Sequence, residues 1–168
     1  MKSLIEQLGN YAAYHRDRRN IRTHFIGIPM IVVAAAILLA RPSFAVGDWF
    51  ISPALIAVVI LTLYYLKLDF RYGIAMGIFL VLCLAIASEF AEADYTTWLV
   101  SGIGLFVVGW VFQFVGHHFE GRKPAFLDDI MGLAIGPLFV LAEAGFLIGW
   151  RKDVERQIEA RLAYATKC

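Results

Sequence analysis

Five apolar stretches, punctuated by short charged blocks, organise this sequence: Thr23 to Ala40, Trp49 to Leu66, Gly73 to Ser88, Trp98 to Gly116 and Ile130 to Trp150. Each approaches the ~20 apolar residues that a helix needs to cross the ~30 Å hydrocarbon core of a bilayer. Ahead of them Leu4, Leu8, Tyr11 and His15 recur at helical spacing, with Ile5 and Ala12 beside the stripe. This predicts an amphipathic surface helix. Behind them a charged amphipathic helical tail runs from Arg151 to Cys168. The pattern predicts an all-α, polytopic transmembrane bundle of four to five spans, with 1–168 as a single membrane domain: 1–22 a surface segment, 23–150 the bundle and 151–168 the tail.

The span number stays open because Gly136 and Pro137 interrupt the last stretch. Basic residues resist translocation and mark the cytoplasmic side. The N-terminal segment carries Lys2, Arg16, Arg18, Arg19 and Arg22, whereas the loop with Glu89, Glu92 and Asp94 carries no Lys or Arg. The N-terminus is therefore expected to be cytoplasmic, in a bacterial inner membrane or the endoplasmic reticulum membrane. Five full spans would place Arg151, Lys152, Arg156, Arg161 and Lys167 on the opposite side, a conflict that a broken or re-entrant segment at Gly136-Pro137 would remove.

Composition agrees with lipid as solvent: 60% of the 168 residues are hydrophobic, and mean hydropathy is +0.69. A net charge of +1, with no basic tract interleaved with aromatics, argues against nucleic-acid binding. Cys83 and Cys168 define neither a disulfide framework nor a metal motif. Lys2 opens a polar mixed segment rather than an apolar signal core, so the N-terminus is expected to be retained.

The four histidines are His15, His24, His117 and His118. Four crossings return the chain to its starting side, so all are expected at one membrane face. Several imidazoles near carboxylates, without cysteine, suit iron. On one continuous helix His15 and His24 would face opposite ways, so a helix break between them is expected; Asn20 and Thr23 are natural N-caps for span one. His24 would then sit in its first turn, with Pro29 accommodated by local distortion. His117 and His118 diverge by about 100° if helical, so that one ligates and the other lies beside the site, or else the helix ends there; His117 is the first choice. Read without a site, His15 is an interfacial residue of an amphipathic helix and His24 a membrane-surface anchor. Glu143, in an apolar run, is a functional-site candidate, or else hydrogen-bonds Gln113 or a loop arginine. Asp128 and Asp129 read as charges at a helix N-terminus.

Tyr14-His15, Asn20, His24, Gly27 and Pro29, then Gln113, Gly116-His117, Glu120, Pro124-Ala125, Asp128, Pro137, Phe139 and Glu143, occur in an order that resembles the membrane 2-hydroxy fatty acid dioxygenase family. Its fungal founder is named for metabolism of phytosphingosine to odd-numbered fatty acids. The resemblance covers nearly the whole chain. It implies an Fe(2+)-dependent enzyme that uses dioxygen to shorten a 2-hydroxy fatty acid by one carbon in α-oxidation. The four histidines would be metal-ligating and catalytic. Asn20, Gln113, Glu120 and Glu143 would orient imidazoles or relay protons, with Glu120 otherwise a ligand or a loop charge, and Arg16, Arg19, Arg22 or Arg122 would pair with the substrate carboxylate or else mark topology or contact lipid phosphate. The partners implied are the 2-hydroxy fatty acid, dioxygen and the lipid bilayer, with the oligomeric state open. Membrane hydroxylases and desaturases need many more histidines. A non-enzymatic bundle that binds haem or another ligand, or a transporter, is the alternative.

Overall fold

The computed structural model of the chain describes residues 2–47, 49–121 and 131–165. Arg122, Pro124, Ala125, Asp128, Asp129, Lys167 and Cys168 lie outside the described residues. The chain forms two compact units, Met1–Phe25 with Phe112–Cys168, and Ile26–Val111. Helix α2 (Arg18–Ala40) and helix α5 (Tyr95–Glu120) each run from one unit into the other.

In the first unit, α1 (Leu4–Ala12) starts in a capping box: Ser3 Oγ accepts the Glu6 amide at 3.2 Å, and the Glu6 carboxylate accepts the Ser3 amide at 2.8 Å. Its apolar stripe, Leu4, Leu8, Tyr11 and Ala12, is buried and packs against α6 (Gly132–Leu147) and α7 (Lys152–Ala165). Val154 and Ile158 supply the buried side of the otherwise charged α7.

Two expectations shift here. The helix break between His15 and His24 occurs at residues 13–17, so α2 begins at Arg18 rather than after Asn20. Asp17 is its cap, accepting the Arg19 amide at 2.8 Å and, through its main-chain oxygen, the Ile21 amide at 3.1 Å. Asn20 lies inside the first turn and His24 in the second. Nor does Gly136-Pro137 break the last apolar stretch: Pro137 is the sixth residue of α6, and the amide it lacks would have bonded a first-turn carbonyl. The chain turns instead at 148–151. There the amides of Gly149 and Trp150 return to the carbonyls of Phe146 and Gly145, at 3.2 and 2.8 Å. Gly149 takes φ +83°, as a helix-terminating glycine must, and α6 and α7 meet at a 113° bend.

In the second unit, the segment expected to open a span at Trp49 is a short antiparallel hairpin, β1 (Phe44–Val46) with β2 (Trp49–Ile51). Pro53 explains the delay. A proline pushes the residue before it into extended backbone, and Ser52, at φ −112° and ψ 156°, caps α3 (Pro53–Leu68) by accepting the Leu55 amide. Asp69 ends α3 and caps α4 (Phe70–Glu92), accepting the Tyr72 amide at 3.0 Å. The two helices pack closely, because a Cβ on Gly73 would lie 2.5 Å from the Leu66 backbone. Glycines also let α5 approach α2: a Cβ on Gly102 would meet Leu38, and one on Gly109 would meet Ile31 and the Gly27 carbonyl.

Helices α2, α4 and α5 are long and apolar enough to cross a membrane, and the bent pair α6–α7 raises the number to four if it is one span. Helix α3, with 16 residues, is shorter. The described residues are thus an all-α helical assembly of a polytopic membrane protein, with one small hairpin between α2 and α3.

Candidate metal centre

Three of the four histidines meet in the first unit. His15 lies in the turn after α1, His24 on α2 and His117 near the end of α5; all three are buried, and their candidate ligand atoms lie within 4.8 Å of one another. The ring centroids of His15 and His24 are 4.6 Å apart, and each lies 5.1 Å from that of His117. His118 is on the same helical turn but points away: it is exposed and does not join the group. The helix continues through Glu120, so the adjacent pair diverges as the helical period requires.

Local backbone sets the ring orientations. His15 Nδ1 lies 2.7 Å from the Tyr11 carbonyl, and His24 Nδ1 2.9 Å from the Asn20 carbonyl, both four residues back. Each Nδ1–H is therefore donated to a carbonyl, which leaves Nε2 as a lone pair. The two Nε2 atoms face each other at 3.1 Å. Two lone pairs repel at that distance unless a cation or a proton lies between them. Burial pushes the His15 imidazole down from its ordinary range to about 4, which disfavours a shared proton. Two imidazoles bound side by side on a metal at roughly 2.1 Å would place their nitrogens about 3.0–3.4 Å apart. His117 Nδ1 is buried without a hydrogen-bond partner, the state of a ring nitrogen that awaits a ligand. The residues present thus fit a metal ion.

The walls are close. Tyr11 stacks flat on His15, with centroids 4.2 Å apart and planes within 1°, and Phe139 of α6 lies 5.6 Å from His15. Gly116 lets α5 reach α2: a Cβ there would clash with Thr23 Oγ1 and Asn20 Oδ1 and would come within 3.3 Å of His24 Nδ1. Sequence reasoning missed the stacking role of Tyr11, although its position four residues before His15 on the apolar stripe was the signal. It also missed the cap at Asp17.

The other candidates divide. Asn20 is buried, with its Nδ2 donating to Glu120 at 2.9 Å. Glu120 accepts the amides of Arg16 and Asp17 as well. Gln113 is buried one turn before His117 and its Nε2 has no partner, so it is not donating to Glu143. Glu143 is half-buried on α6, within electrostatic reach of Arg16, Lys152, Glu155 and Glu159. Among the arginines, Arg16 pairs with Glu159 at 3.2 Å. Arg19 pairs with Asp17 at 2.7 Å and lies over the Phe119 ring. Arg22 is exposed, and Arg122 lies outside the described residues.

A family model described as 2-hydroxy-palmitic acid dioxygenase Mpo1-like matches residues 1–148. The chain belongs to this family. It is also similar to the 2-hydroxy-palmitic acid dioxygenase MPO1 of Saccharomyces cerevisiae, with 32% identity over 158 residues that cover 93% of this chain and 87% of the yeast protein. No solved structure matches the chain. The matched region holds α1 through α6 and all three clustered histidines, so family membership and the candidate metal site fall on the same residues.

Proposed function

We propose that this protein is an Fe(2+)-dependent dioxygenase that shortens 2-hydroxy fatty acids by one carbon, with His15, His24 and His117 as the metal ligands. The observation that carries the reading is the 3.1 Å approach of two Nε2 atoms whose rings have both committed Nδ1 to main-chain carbonyls. Such a pair at the end of apolar helices is a poor structural contact and a good half of a metal site. Three neutral imidazoles without a thiolate suit iron(II), which when bound would supply the redox chemistry that activates dioxygen.

The protein's own part is to hold and to shield. Tyr11 and Phe139 keep the imidazoles in an apolar surround, and the main-chain carbonyls of Tyr11 and Asn20 fix the tautomers of His15 and His24. Gln113 Nε2 is a buried donor without a partner, available to an oxygen of the substrate head group or to a water. His118 is outside the ligand set in this proposal. Arg16, beside His15, is the preferred partner for the substrate carboxylate, in exchange for its exposed pairing with Glu159. The acyl chain would lie along the apolar helices, with the head group at the cytoplasmic face. The conversion balances with one dioxygen and no external reductant: a 2-hydroxy acid and O2 give the acid one carbon shorter, CO2 and H2O.

Haem ligation fits less well, because two axial nitrogens on opposite sides of one metal would be separated by about twice a 2.0 Å bond, wider than the observed approach. The deciding experiment measures bound metal and oxygen uptake by the purified protein with a 2-hydroxy fatty acid and with the unsubstituted acid. Uptake with the 2-hydroxy acid alone is expected. Iron-loaded protein inert towards both would overturn the assignment.

A further inference from the structure

The carboxylate of Glu120 makes no hydrogen bond to an imidazole, yet it is bonded to the segments that carry all of them. It lies three residues beyond His117 on α5. Its Oε1 and Oε2 accept the amide of Arg16, the residue after His15, at 2.9 and 3.0 Å. Oε2 also accepts the Asp17 amide at 2.9 Å and Asn20 Nδ2 at 2.9 Å. Asn20 in turn holds His24 Nδ1 through its main-chain oxygen. Three donors thus converge on one carboxylate from the segment that links His15 to His24, 100 to 104 residues away in sequence. These are charge-assisted bonds at the N-terminus of α2, where free amides and the helix dipole both favour an anion.

We infer that Glu120 is a positioning residue that sets the mutual spacing of His15, His24 and His117 and thereby the metal affinity of the centre. The inference rests on the reading of the three histidines as a metal site. Without the carboxylate, the main chain of the turn at 13–17 loses its tie to α5, and the exposed Arg16–Glu159 side-chain pair does not replace it. The Arg16 and Asp17 amides then lose their fixed acceptor, and His15 is free to drift from the other two rings. Outer partners of metal ligands typically alter affinity by about 10–100-fold, and a similar loss is expected here.

The test uses the full chain in detergent or nanodiscs, titrated with Fe(II) under anaerobic conditions and with Co(II), whose visible absorption reports the ligand geometry. Glu120→Ala is expected to weaken metal binding about 10–100-fold and to alter the Co(II) spectrum, with helical content unchanged by circular dichroism. Glu120→Gln keeps one oxygen for Asp17 and Asn20 and should fall between Ala and wild type. Wild-type affinity and spectrum in Glu120→Ala would overturn the inference, even if thermal stability dropped, because a merely structural bond would lower stability alone. Should Glu120→Ala fail to fold, Asn20→Ala decides: it leaves the carboxylate and removes one link to α2, so weaker binding supports the inference and unchanged binding overturns it. Wild-type protein that binds neither metal would instead overturn the metal site itself.

Discussion

His15 Nε2 and His24 Nε2 lie 3.1 Å apart, each on a ring whose other nitrogen is held by the carbonyl four residues back. Both lone pairs are thus fixed by the helical backbone, and His117 completes the group from a different helix. Replacement of any of the three by Gln should abolish metal retention, whereas His118→Gln should keep it, since His118 is exposed outside the group. Metal analysis after gel filtration of the four variants checks this. A His118→Gln protein that loses its metal would return that residue to the ligand set.

Gly116→Ala should damage the site without touching a ligand. The new methyl would have to displace Thr23, Asn20 or the His24 ring, and overpacking of this kind costs about 1–3 kcal/mol. Gly104→Ala on the same helix meets nothing within 4 Å and should be neutral or slightly stabilising, by up to about 1 kcal/mol. Thermal unfolding and metal titration of the two proteins side by side separate a local clash from general helix sensitivity.

Tyr11 is expected to matter as a ring. Tyr11→Phe preserves the stack on His15 and should bind metal as wild type does. Tyr11→Ala removes a buried aromatic, at a cost of about 3–5 kcal/mol, and frees the His15 ring to rotate. Equal metal affinity in both variants would show that the stack does not restrain the imidazole.

Gly149→Ala should loosen the junction between α6 and α7, because φ is +83° there and an L side chain in left-handed backbone costs about 1–2 kcal/mol. Limited proteolysis across 148–151 should be faster, with metal affinity per folded molecule unchanged.

Much of this was legible along the chain because lipid-spanning helices and amphipathic stripes write themselves into local patterns. Leu4, Leu8, Tyr11 and Ala12 are buried as their spacing required, and His117 and His118 part as neighbours on a helix must. What local pattern could not supply was the position of the break before α2. Asn20 has the chemistry of a cap, but Glu120 and Asp17 take up the amides three residues earlier, and a contact spanning about a hundred residues leaves no local trace. Pro137 misled for a different reason: at position six of α6 it forfeits one bond, to a first-turn carbonyl, and the helix continues through it to Leu147. The Gly149 turn, by contrast, used a signal that was present and passed over.

The unit that holds the candidate metal centre is built from the two ends of the chain, Met1–Phe25 and Phe112–Cys168. A nascent polypeptide therefore carries His15 and His24 through the synthesis of α3, α4 and most of α5 before His117 exists. For that interval only two of the three imidazoles of the proposed centre are present. On the proposed reading metal loading is then a late step of biogenesis, and a chain truncated before α5 should retain no metal.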